Sequence, residues 1–156
     1  MLMIIFFTVI FFIIDLISKL IVSNLMSVHD SVIVIKDFFY ITYVRNTGAA
    51  WSMLAGKTWV LILISLIIIL FIVGFIYNNK PKKKLERFGY SMILGGSVGN
   101  LFDRIIYGYV IDFFDFYILG YDYPIFNLAD IFIVVGVFII IICTWRCKDG
   151  DNGSRK

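Results

Sequence analysis

The sequence predicts an all-α membrane protein with four transmembrane helices, a small sheet outside the membrane and an interfacial helix between helices three and four. One observation is composition: the 156 residues are 61% hydrophobic and only 16% charged, and the mean hydropathy is +0.95. A soluble domain of this size does not stay in solution with that balance. The other observation is that four segments reach the roughly 20 residues that a bilayer span needs. We therefore expect residues 1–156 to form a single integral-membrane domain.

The first two predicted helices are the most apolar segments. Residues 3–22 read MIIFFTVIFFIIDLISKLIV, with no basic residues before them and no small-residue cleavage signature after them. We expect this helix to be retained rather than removed as a signal peptide. Residues 59–77 read WVLILISLIIILFIVGFIY, with an aromatic residue at each end, which is typical of a span whose rings lie at the two interfaces.

The third and fourth predicted helices carry polar residues. Residues 88–107 have the length of a span but are diluted by glycine and polar groups, and residues 126–144 have their polar residues at the beginning. Gly95, Gly96 and Gly99 indicate close helix packing, although a groove for a lipid or a peptide would use the same small residues. Residues 148–156 are expected to form a flexible tail.

The basic residues predict the orientation of the chain. They cluster between helices two and three, in NNKPKKKLER, and again in the C-terminal tail. By the positive-inside rule both segments face the cytoplasm, so both termini are expected there. The net charge of +3 comes from these basic residues at the membrane edges. We therefore expect no nucleic-acid partner.

The two outer segments differ in pattern. Residues 23–57 include SVIVIKDFFYITYV, whose β-branched and aromatic residues favour short strands. We expect a small extracytoplasmic sheet there. Residues 108–125 mix aromatic residues with aspartates, and we interpret them as an interfacial helix that dips toward lipid.

The ionisable residues of the predicted spans all lie at one depth. At about 1.5 Å of rise per residue, Asp15 and Lys19 lie in the outer half of helix one, and Asp103 and Arg104 lie near the outer end of helix three. Charged residues in a span are costly unless they pair or face a wet cavity. Two pairs follow from the sequence, Asp15 with Lys19 and Asp103 beside Arg104. Each pair suits either a structural ion pair or a role in catalysis.

Asp112 and Asp130 have no basic residue nearby in sequence, and each lies where an outward helix ends or an inward one begins. If helices three and four are neighbours, the two carboxylates face each other, share a proton and titrate as a coupled pair. Such a pair activates water and polarises a carbonyl, as in aspartic peptidases. The single histidine, His29, excludes Ser-His-Asp and Cys-His arrangements, and we expect no metal and no cofactor.

Two other classes of function stay open on the residues alone. Carboxylates in a small helical membrane protein also serve a proton-coupled transporter, although here they gather at the outer edge and no inverted repeat is visible. A non-catalytic assembly factor would tolerate Asn at positions 112 and 130.

The motifs DLISK, VRNTGAAW, GGSVGNLFDR, YVIDFFDF and FNLAD, taken in this order, resemble the lipoprotein signal peptidase family, also called signal peptidase II. The resemblance implies an aspartic endopeptidase of the bacterial cytoplasmic membrane. Its substrates would be prolipoproteins, cut just before the diacylglyceryl-modified cysteine near the outer face. It also implies contact with membrane lipids, inhibition by the cyclic peptide globomycin, and a monomer.

The resemblance assigns roles residue by residue. Asp112 and Asp130 match the catalytic pair. The matching substrate-binding positions are Asn46, Gly48, Asn100, Arg104 and Asn127. The polar residues with an expected structural role are Asp15, Lys19 and Asp103, the last as a partner of Arg104. The sheet around residues 32–50 is expected to form a cradle for the substrate, and residues 113–125 a lid over it.

Overall fold

The computed structural model describes residues 1–49 and 53–153, with the side chains of the helical residues up to 145. In chain order the elements are α1 (Leu2–Leu25), β1 (Ser31–Ile35), β2 (Phe39–Asn46), α2 (Thr58–Asn79), α3 (Lys84–Tyr107), β3 (Val110–Ile118), β4 (Tyr121–Asp122) and α4 (Leu128–Gly153). Each predicted span contains one helix. α4 continues into the predicted tail as far as Gly153, and residues 154–156 lie outside the described part of the chain.

Three of the helices are long and apolar enough to cross a membrane: α1, α2 and the part Leu128–Trp145 of α4. Each keeps most of its apolar surface exposed within the protein, as lipid-facing helices do. α3 is less apolar and lies in the centre, where it packs against α1, α2 and α4. The chain is an integral membrane protein whose central helix carries most of its polar groups.

The glycines of α3 let the neighbouring helices approach closely. A Cβ atom at Gly95 would lie 2.6 Å from the Cβ of Phe11 in α1. A Cβ at Gly96 would collide with the carbonyl oxygen of Ala129 in α4. The packing interpretation of these glycines is therefore confirmed, because helices α1 and α4 fill the space beside them.

Two apolar clusters mark the two ends of the helical bundle. Ile4, Ile76, Tyr90 and Leu94 pack together where α1 and α3 begin and α2 ends. The other cluster joins the end of α1 to the sheet through Val22, Tyr43, Ile111 and Phe113. The sheet is therefore attached to the end of the bundle where α1 and α3 finish and α2 and α4 start.

The sheet is antiparallel with the strand order β1-β2-β3-β4. The predicted strands in residues 23–57 are confirmed as β1 and β2. The prediction of an interfacial helix in residues 108–125 was wrong, because this segment supplies β3 and β4. Its aromatic and β-branched side chains suit a pleated surface, and pairing with β2 satisfies the backbone groups that a helix would otherwise have bonded internally.

Candidate active site

Asp112 and Asp130, called the carboxylate pair below, are brought together by β3 and α4. Asp112 is opposite Val44 of β2 in the sheet register. Phe126, shortly before α4, forms an antiparallel bridge with Phe114 of β3. This bridge holds the start of α4 against the strand, so its first turn lies beside Asp112.

Asp112 is buried, with 3% of its surface exposed, and two amides hold its carboxylate. Asn46 Nδ2 donates to Oδ2 at 2.8 Å, and Asn127 Nδ2 donates to Oδ1 at 2.7 Å. Burial, reinforced by the negative charge of Asp130, raises the pKa of Asp112 to about 7, and the two amide donors oppose that rise. Near neutral pH this carboxyl is therefore poised between its two protonation states.

Asp130 lies in the first turn of α4, half-buried. Asn100 Nδ2, from α3, donates to its Oδ1 at 2.8 Å. Its Oδ2 accepts from the backbone N–H of Asn127 at 3.1 Å. The two members of the carboxylate pair thus differ in surroundings: one lies in the sheet beside two amides, the other at a helix N-terminus.

A cavity of about 440 Å³ opens onto both carboxylates. Its polar lining consists of Asn46, Asn100, Arg104, Asp112 and Asp130. Its apolar lining includes Pro124, Ile125, Phe126, Ile131, Val134 and Val135. Val134 is 53% exposed on the outer surface of α4, so the cavity reaches the apolar, lipid-facing side of that helix.

A second cavity of about 340 Å³ also borders Asp112. The two cavities share Asn46 and Asp112, but the second is also lined by Arg45, Thr47 and Asp122. Asp112 therefore borders both a mainly apolar space and a more polar one.

Arg104 is held at the edge of the first cavity by backbone carbonyls. Its Nη2 donates to Gly48 O at 3.1 Å, and its Nη1 donates to Asn100 O at 3.4 Å. Asn46 Oδ1 in turn accepts from Gly48 N at 2.9 Å and fixes that turn. Within the described residues, Arg104 Nε is buried without a hydrogen-bond partner.

Asp103 has a different partner from the expected one. Its Oδ2 pairs with Lys19 Nζ of α1 at 3.0 Å, and it is Gly48 rather than Asp103 that hydrogen-bonds Arg104. Adjacent helical residues point about 100° apart, so Asp103 faces α1 while Arg104 faces the cavity. The expected pair of Asp15 and Lys19 is present, with Nζ and Oδ2 2.7 Å apart.

A family model for signal peptidase (SPase) II matches residues 7–146. The chain belongs to the signal peptidase II family. A lipoprotein signal peptidase of Histophilus somni (strain 129Pt) is 38% identical over 145 residues, which cover 90% of this chain and 87% of the relative. One of Clostridium acetobutylicum is 42% identical over 122 residues, which cover 78% of this chain and 79% of the relative.

The fold is also similar to that of a solved structure described as a bacterial membrane enzyme determined by the in meso method at 2.3 Å resolution. The TM-score is 0.85 at 37% sequence identity, and the match covers 98% of this chain and 91% of that chain. The resemblance drawn from the motifs is therefore confirmed as a family relationship.

The motif residues of this signal peptidase II family member are divided by the structure into two sets. Asn46, Asn100 and Arg104 line the first cavity together with the carboxylate pair. Gly48 and Asn127 act through hydrogen bonds to these residues. The sequence interpretation missed the apolar wall formed by Ile131, Val134 and Val135. For Val134 a signal was available, since positions i and i+4 lie on the same face of a helix and Val134 is four residues after Asp130.

Proposed function

We propose that this chain is an aspartic endopeptidase that removes the signal peptide from diacylglyceryl-modified prolipoproteins, cutting just before the lipidated cysteine. The observation that carries the proposal is the carboxylate pair, held by amide side chains beside a cavity with an apolar wall. The alternatives of a transporter and an assembly factor are set aside, because the chain belongs to a peptidase family.

The proposed reaction uses one shared proton. Asp112 holds that proton near neutral pH, since burial raises its pKa to about 7, and Asp130 is ionised. Asp130 takes a proton from a water molecule whose oxygen attacks the scissile carbonyl carbon, while Asp112 donates its hydrogen to the carbonyl oxygen. The tetrahedral intermediate then collapses, the C–N bond breaks, and the leaving nitrogen takes the proton from Asp130. The carboxyl pair returns to a singly protonated state when Asp112 recovers its proton from the intermediate's hydroxyl.

The proposed substrate-binding residues divide into two groups by their contacts. Asn46, Asn100 and Asn127 orient the carboxylate pair, and the amides exposed to the cavity also meet the peptide backbone. Arg104, held by Gly48, offers its remaining N–H to a substrate carbonyl. Asn46, Asn100 and Arg104 thus meet the substrate in the first cavity, and Gly48 and Asn127 hold them and the carboxylate pair in place.

The two cavities suggest how the substrate lies. The apolar cavity along α4 suits the apolar part of a signal peptide and the acyl chains, and the polar cavity suits the mature chain that follows the cysteine. The sheet then forms a cradle, and residues 123–125, which line the first cavity, act as the part of the predicted lid that covers the site.

In the proposed topology α3 is the fourth span. Its 24 residues reach about 36 Å at 1.5 Å per residue, and its polar groups face the other helices rather than lipid. The basic connection between α2 and α3 lies in the cytoplasm with both termini, which places the carboxylate pair near the outer face. We further propose that the enzyme acts as a monomer in contact with lipid and that globomycin blocks the cavity.

A gel-shift cleavage assay tests the function. Purified protein in detergent receives one prolipoprotein with its diacylglyceryl group and the same prolipoprotein without it. We expect cleavage of the lipidated form alone, lost by about a hundredfold or more in Asp112→Asn and in Asp130→Asn. Turnover by either folded variant at the parent rate would refute the catalytic assignment, and cleavage of the unlipidated form at an equal rate would refute the substrate class.

A further inference from the structure

Lys19 is a buried cation surrounded by three oxygen atoms. It is 1% exposed, and its Nζ lies 2.7 Å from Asp15 Oδ2, 3.0 Å from Asp103 Oδ2 and 2.9 Å from Asn100 Oδ1. A protonated ammonium has three N–H donors. Here the ammonium donates a hydrogen bond to Asn100 Oδ1 and forms ion pairs with Asp15 and Asp103, so three neighbours from two helices hold it in place.

Two of the three acceptors also bind backbone next to the carboxylate pair. Asp15 Oδ1 accepts from the N–H of Ala129 at 2.9 Å, and Ala129 immediately precedes one member of the pair in α4. Asp103 Oδ2 accepts from the N–H of Ile111 at 3.2 Å, and Ile111 immediately precedes the other member in β3. A single ammonium thus reaches the backbone on both sides of the site through one carboxylate each.

The third acceptor controls a side chain of the site directly. Asn100 Oδ1 accepts from Lys19 Nζ and from Asn127 Nδ2, the latter at 3.1 Å. This leaves Asn100 Nδ2 to donate to Asp130 at 2.8 Å. The flipped amide would turn its NH₂ group toward the ammonium and its oxygen toward the carboxylate, and both contacts would be repulsive. The charge of Lys19 therefore fixes the orientation of the Asn100 amide.

We propose that Lys19 is a positioning residue that sets the separation and orientation of the carboxylate pair, a role that rests on the proposed function of that pair. Lys19 lines neither of the two cavities that border Asp112, so it acts through Asp15, Asp103 and Asn100 and not on the substrate. Buried ion networks add little net stability compared with apolar packing of the same volume, but they fix one geometry. For a reaction that depends on sub-ångström placement of two acids, that geometry is the contribution of Lys19.

The test compares Lys19→Met with Ile4→Ala. Methionine has similar length without the charge, and Ile4 lies on the same helix, equally buried, in the apolar cluster at the opposite end of the bundle. Both variants are assayed well below their melting temperatures with the lipidated prolipoprotein. We expect Lys19→Met to lower kcat by about tenfold or more with KM little changed, and Ile4→Ala to keep the parent kcat despite a lower Tm. Equal kcat in the two variants would overturn the proposal.

Lys19→Arg covers the case in which the neutral variant does not fold. A guanidinium keeps the charge but spreads its donors over a planar fork, so it cannot serve three acceptors from one point. We expect a folded protein with lowered kcat, and a parent-like kcat would overturn the positioning role. Failure of both Lys19 variants to fold, while Ile4→Ala folds, would assign Lys19 to stability alone.

An infrared measurement separates this proposal from the proposed function. In the folded parent, the C=O stretch of the protonated carboxyl in the pair is identified by its loss in Asp112→Asn. We expect this band to shift in Lys19→Met or Lys19→Arg and to stay in place in Ile4→Ala. An unshifted band in both Lys19 variants would overturn the positioning role, even if the parent cleaved nothing. If the parent cleaves nothing but the band shifts in a Lys19 variant, only the proposed function is refuted.

Discussion

Asn127 and Asp130 cap the first turn of α4 reciprocally. The N–H of Asp130 donates to Asn127 Oδ1, and the N–H of Asn127 donates to Asp130 Oδ2, both at 3.1 Å. This is the geometry of a capping box with Asn and Asp in place of the usual residues. One member of the carboxylate pair therefore belongs to the end of a helix, and Asn127 links it to Asp112.

Asp112→Asn changes how stability depends on pH. The folded protein holds the Asp112 proton up to a pKa of about 7, whereas the unfolded chain releases it near pH 4. The parent therefore loses stability as pH rises from about 4 to 7, and an uncharged Asn does not. We expect the Tm of Asp112→Asn minus the Tm of the parent to increase between pH 5 and pH 8, measured by thermal unfolding in detergent. A difference that is constant or falls would show that Asp112 is not buried as described.

Gly96→Ala tests the contact between α3 and α4. The new Cβ would meet the carbonyl oxygen of Ala129, which is backbone and cannot move alone. We expect a loss of about 1–3 kcal/mol in the free energy of unfolding, as for other overpacked sites, and lower activity, because Ala129 is adjacent to the carboxylate pair. Gly74→Ala in α2 is the control, since nothing lies within 4 Å of its Cβ position, and it should gain stability by up to about 1 kcal/mol.

Arg104→Lys separates charge from shape in the cavity. Lysine keeps the positive charge, but its donors leave one nitrogen rather than a planar fork, so it cannot reproduce the placement of the two N–H groups that bond Gly48 O and Asn100 O. We expect kcat/KM to fall by about tenfold, mainly through KM, in steady-state assays with the lipidated prolipoprotein. Arg87→Lys on the same helix, whose guanidinium bonds Pro81 O, should keep the parent kcat/KM. Equal effects of the two changes would remove Arg104 from substrate binding.

Val134→Phe tests whether the apolar cavity receives the substrate. Val134 lines the cavity on α4, so the larger ring would fill space that acyl chains or the signal peptide need. We expect KM to rise severalfold with little change in Tm. Val137 is also exposed on α4, at 41%, but is not among the residues lining the cavity, so Val137→Phe should behave as the parent does.

Much of the site was predictable because its residues share one depth. The rise per residue of a helix places Asp15, Lys19, Asp103 and Asp130 at similar heights, and the structure brings these four into one hydrogen-bonded network. Adjacency in sequence did not predict which of these residues form ion pairs. Asp103 pairs with Lys19, 84 positions away, because the rotation of α3 about its axis depends on contacts between helices.

The second outer segment shows the same limit for secondary structure. β3 pairs with β2, for example Asn46 with Val110, across a separation in sequence that contains the whole of α2 and α3. The run VIDFFDFYI carries apolar residues on both faces of the strand, and its first four residues are all buried. It therefore lacks the regular alternation of apolar and polar residues that identifies a strand from sequence. The pairing partner, rather than the local pattern, decides that it is a strand.

α2 buries only two of its side chains, Leu61 and Ile76, all of its residues being within the described part of the chain. Most of its other side chains are exposed to lipid, apart from half-buried ones such as Ile69 and Ile72 that pack on the apolar cluster around Ile76. Lipid accepts one apolar side chain as readily as another. In random mutagenesis, apolar replacements in α2 should therefore leave the protein folded and active, whereas single substitutions in α3 should be lost under selection for activity. Selection therefore acts on the apolar composition of α2 and only weakly on the order of its residues.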